Sequence, residues 1–98
     1  MIFAELKYDQ HYSDLHYELV EYLQSRFPVI EHGLQGDSWI WIVSGDEKVA
    51  VDTFSSMKHQ IKSEQLNSSL AKKVIGALSE RYKLTVLDEP ELEPHEDC

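Results

Sequence analysis

Cysteine is nearly absent: the single Cys98 cannot form an internal disulfide, which suits a reducing cytoplasm. Long apolar runs are missing too, and none approaches the roughly 20 residues of a membrane span. The opening MIFAELKYDQ lacks the charged-then-apolar order of a secretion signal, so the cytoplasm is the expected location. Basic residues are scarce, nine against eighteen acids, for a net charge of −9. With no basic stripe to displace counterions, neither nucleic acid nor a membrane surface is an expected partner.

Chemistry-bearing motifs are missing as well. The four glycines are dispersed singly, which excludes a glycine-rich phosphate cradle. The five histidines and one cysteine form no HExxH, HxH or CxxC spacing, so no metal and no cofactor is expected. His95-Glu96-Asp97-Cys98 is at most an adventitious soft-cation binder. No GxSxG surrounds a serine, and Ser55, Ser56, Ser68 and Ser69 have evident turn and cap duties. The acids around Cys98 suppress its thiolate. These absences point away from an enzyme.

The acids that are present are unevenly placed. Residues 88–98 hold six of them and no Lys or Arg, whereas the first 87 residues carry twelve acids and nine bases, or −3. Together with Pro90 and Pro94, this reads as a near-neutral domain over 1–87 followed by an acidic, disordered tail over 88–98.

The most structured stretch is Asp37 to Phe54, DSWIWIVSGDEKVAVDTF, two strand-forming runs around a Gly45-Asp46 turn. An even loop pairs Val43 with Lys48, Ile42 with Val49 and Ile40 with Val51. One face is then aliphatic (Ile40, Ile42, Val49, Val51, Thr53) and the other aromatic (Trp39, Trp41, Phe54), interrupted by Asp52. An odd loop would instead place the tryptophans with the valines, in the core. The even loop fits strand twist and the positive φ open to Gly45.

Around this hairpin, Ile2–Tyr8 reads as a strand with Ile2, Ala4 and Leu6 on one face. Ser13 is the expected cap of a helix running to Arg26 or Phe27 through Leu15, Leu19 and Leu23, stopped by Pro28. Val29–Leu34 is a weaker strand. Ser55–Glu64 reads as an edge strand protected by lysines, although Phe54, Met57 and Ile61 also have helical spacing. Asn67-Ser68-Ser69 caps a second helix along Leu70, Val74 and Leu78, with Gly76 inside it, and Leu84–Leu87 is a last strand.

The order is β-α-β-β-β-(β)-α-β. It specifies an α+β two-layer sandwich: a mainly antiparallel sheet with two helices on one face, a variant of the ferredoxin-like arrangement. A chain of 98 residues is too short to roof both faces of a sheet. The aromatic face is therefore expected to stay open, with Trp39, Trp41, Phe54, Met57 and Ile61 as partner-binding residues.

The expected function is a non-enzymatic protein–protein interaction module, with a second copy of the chain among the candidate partners. Two alternatives come from other classes. One is an acidic decoy or chaperone-like protein that captures a basic partner. The other is a small-ligand or enzymatic pocket near Trp41, Asp52 and His59, which requires Asp52 and His59 to lie within hydrogen-bond reach of each other.

Overall fold

The computed structural model describes residues 1–93. Its elements are β1 (Ile2–Lys7), α1 (Tyr12–Gln24), β2 (Ile30–Gln35), β3 (Asp37–Ser44), β4 (Glu47–Asp52), β5 (Gln60–Ser63), α2 (Ser69–Ser79) and β6 (Lys83–Glu91). The strands form one six-stranded sheet in the order β2-β3-β4-β5-β1-β6, and every neighbouring pair is antiparallel. Without the β2–β3 hairpin, the remaining elements run β-α-β-β-α-β with strand order β4-β5-β1-β6. The molecule is thus an α+β sandwich with an extra hairpin inserted after α1.

The β3–β4 register follows the even reading, with Ile40 opposite Val51, Ile42 opposite Val49 and Ser44 opposite Glu47. Gly45 has φ 59° and, among the described residues, no non-glycine has positive φ, the signature of a II′ turn in which only the first central residue has positive φ. Alternation then puts Ile40, Ile42, Val49 and Val51 on the face that the helices cover. There they join Leu15, Leu19 and Leu23 of α1 and Leu70, Val74 and Leu78 of α2 in one buried cluster.

Several local expectations are corrected. The cap of α1 lies two residues before Ser13: His11 is its N-cap and accepts from the Ser13 amide. The ring nitrogen supplies the acceptor that Ser, Asp or Asn normally gives. In β1 the register slips between Ile2 and Ala4, so Ile2 pairs with Lys62 while Phe3 packs against the core cluster. A bulge of this kind breaks strict alternation.

The Ser55–Glu64 region contributes only β5, and β5 is interior, between β4 and β1. Its lysine is therefore not edge protection but a buried charge. β6 continues through Glu91, four residues into the acidic stretch that begins at Asp88, and Glu93 is buried. Composition argued for a solvated end, but pairing with β1 and an ion pair order this part of it. The rest of the tail, 94–98, lies outside the described residues.

Candidate functional site

The uncovered sheet face is centred on β3. Trp39 and Trp41, opposite Asp52 and Ala50 of β4, are each partly buried and touch in a tilted pair with ring centroids 4.6 Å apart at 41°. Gly33 of β2 is the floor beneath Trp39. A Cβ there would stand 2.5 Å from the indole, well inside van der Waals contact. Lys48 Nζ lies 4.3 Å from the Trp41 ring centroid, a cation–π contact that limits its rotation. Beside Trp41 opens a shallow cleft of about 190 Å³, lined by Met1, Lys48, Ala50, Asp52, Lys62, Ser63, Glu64 and Glu93.

One end of the cleft is an ionic cluster. Lys62 Nζ is 2.6 Å from Asp52 Oδ1 and 2.6 Å from Glu93 Oε2, and all three side chains are at most 10% exposed. The register explains the first contact: Ala50 faces Lys62 and Asp52 faces Gln60, which makes Lys62 a diagonal neighbour of Asp52. Ser55 Oγ donates to Glu93, and the Phe54 amide donates to Asp52. These contacts fasten the last described residues to the sheet.

A different polar group lies under α1, on the covered face. His16 Nδ1 is 2.6 Å from Ser38 Oγ, which is 2.7 Å from His59 Nε2, and His59 Nδ1 is 2.8 Å from the Tyr8 hydroxyl. At the other end His16 Nε2 is 3.4 Å from Nδ1 of the exposed His32. His16, Ser38 and His59 are each 0% exposed.

Donor arithmetic orients the chain. The Tyr8 hydroxyl accepts the His59 amide, so its one proton goes to His59 Nδ1. His59 then carries its proton on Nε2 and donates to Ser38, Ser38 donates to His16 Nδ1, and His16 Nε2–H donates to His32. Every group is used once and none is charged. In the reverse direction the Tyr8 proton would have no partner among the described residues.

The surroundings favour the neutral forms. Burial lowers His59 to about 4. Burial and, second, the neighbouring His32 lower His16. Burial raises Tyr8 to about 12. The chain can relay protons, but Ser38 is fully buried, so its hydroxyl does not reach a substrate as a nucleophile would have to.

The residues expected to form a site separate into three groups. Trp39 and Trp41 share the open face, and Phe54 and Met57 are 53% and 65% exposed. Ile61 is fully buried in the helix-side core and offers no contact surface, because β5 is an interior strand. Asp52 binds Lys62 on the open face, whereas His59 joins Ser38 beneath α1. A pocket shared by Trp41, Asp52 and His59 is therefore not formed.

Sequence reasoning missed Lys62, Glu93, Tyr8, Ser38 and His16. The only early signal was the lysine among alternating apolar residues at 57–62, and it was assigned to edge protection. Fold and site together define a small α+β domain with an aromatic open face and a buried neutral polar chain. Comparison with protein-family models, curated proteins and solved structures returns no match.

Proposed function

We propose that this chain is a non-enzymatic binding module that engages a protein partner through its open sheet face, with Trp39 and Trp41 as anchors and Phe54 and Met57 at the margin. The observation that carries this reading is the indole pair, in tilted contact with each other and with Trp39 seated on Gly33, on the sheet face opposite the helices. Aromatic side chains already fixed in place lose little entropy on binding, and buried tryptophans dominate interface energetics. The neighbouring cleft, about 190 Å³, is smaller than the roughly 300–1,000 Å³ usual for small-molecule sites. It suits one inserted side chain better than a cofactor.

A second reading, capture of a basic partner, draws on β6, where Asp88, Glu89 and Glu91 are exposed on an edge strand. One experiment addresses both readings. Partner capture from a lysate and sedimentation of the pure protein are run for the wild type and Trp41→Ala, at low and high salt. The aromatic-face reading expects Trp41→Ala to lose the complex, self-association included, while far-ultraviolet circular dichroism stays unchanged. An unaltered complex and mass would sink it. Loss of the wild-type complex in salt alone would favour acidic capture.

A further inference from the structure

We propose that the Tyr8–His59–Ser38–His16–His32 chain is an acid-sensitive lock that holds α1 on the sheet and releases it when either buried imidazole, His16 or His59, takes up a second proton. The chain joins the end of β1, α1, β2, β3 and the segment before β5, so breaking it loosens α1 from several elements at once.

Its proton arrangement leaves no room for an extra proton. A second proton on His16 would put an N–H against Ser38, which already accepts from His59, and the serine proton would be stranded. A second proton on His59 would likewise strand the proton of Tyr8. Each case adds a buried charge, and the charge on His16 leaves the fully buried Ser38 hydroxyl an unsatisfied donor as well, both costly in a dry interior.

The groups that face the two rings offer no counter-charge. They are Tyr8 beyond β1, Tyr17 on α1, His32 on β2 and Ser38 on β3. Thr53 bonds the Ser38 amide and reaches Asp37 at 3.4 Å. Lys58 lies 4.4 Å from the Tyr8 ring centroid, and Glu5 and Tyr12 act on Tyr8 rather than on either imidazole. Among the described residues no carboxylate hydrogen-bonds His16 or His59.

The sign follows from linkage. Histidines held neutral in the fold bind protons more readily when released, so the closed state loses stability as pH falls from 6.5 toward about 4, and keeps it in full above that window. Each proton taken up on opening changes the closed-to-open ratio by about tenfold per pH unit.

Hydrogen exchange corrected for intrinsic rates, followed from pH 7.5 to 4.5 in the wild type and in His59→Gln, tests the lock. The glutamine keeps a donor near the Nε2 position and cannot charge. Amides of α1 should lose protection below pH 6.5 by about tenfold per unit for each proton while β4 stays protected, and His59→Gln should flatten that slope by one proton. Simultaneous loss in α1 and β4, or an unchanged slope in the variant, would overturn the proposal. Nitrogen-detected histidine spectra of the wild type give a check that needs no variant. Both buried rings should be neutral Nε2–H tautomers, and a doubly protonated ring inside a fully protected α1 would also overturn it.

Discussion

The two faces of one sheet bury polar groups by opposite means. Under the helices, His16, Ser38 and His59 are neutral and consume each other's donors and acceptors. On the open face, Lys62 is charged and is held between Asp52 and Glu93. A neutral chain costs little while its protons stay arranged, but it tolerates no added charge. An ion cluster tolerates charge but depends on its members, because removing one leaves the opposite charge buried with less compensation. The comparison shows why acid should loosen the covered face first, whereas loss of a side chain should harm the open face most.

The largest expected effect comes from breaking the open-face cluster. Lys62→Met leaves two buried carboxylates without their cation and should cost about 3–5 kcal/mol in urea unfolding at neutral pH. Removing all three charges together, with apolar replacements at Asp52 and Glu93 as well, should recover most of that loss. If the single variant costs no more than the triple, the cluster is not an interdependent unit.

A smaller effect is expected from Gly33→Ala, which drives a methyl group into the Trp39 indole and should cost about 1–3 kcal/mol. A red-shifted tryptophan emission should accompany it as the stack opens. An unperturbed spectrum and melting temperature would mean that Trp39 is not seated on Gly33.

The smallest effect has the opposite sign. Gly76 of α2 is exposed and a Cβ there would meet nothing within 4 Å, so Gly76→Ala should stabilise by up to about 1 kcal/mol in the same titration. A loss of stability would show that the glycine has a packing duty.

The legible parts of the fold were those set by local rules. A two-residue loop with glycine at its first position decided the parity of Ile40, Ile42, Val49 and Val51, and so decided which face the helices roof. The apolar stripes of Leu15–Leu23 and Leu70–Leu78 fixed both helices. Features that depend on partners far along the chain were not legible. Lys62 meets Glu93, 31 positions away, and Tyr8 meets His59, 51 away, and no period or propensity links such pairs. The interior place of β5 was hidden for the same reason: four residues with a lysine among them look like an edge until Asp52 and Glu93 are known to surround it. At residues 88–93 average composition carries no sign of the one specific contact, Glu93 with Lys62.

The position of β1 also bears on how the molecule is made. Its two neighbours are β5 and β6, so the first strand emerges from the ribosome with neither of them yet synthesised. At roughly 5–20 residues per second, its nearer neighbour follows only after on the order of 3–12 s. During that interval both edges of β1 offer unpaired backbone groups to any other nascent strand. Assembly of this sheet waits on its later strands, and slower decoding between β1 and β5 lengthens the time during which the young chain is open to misassociation.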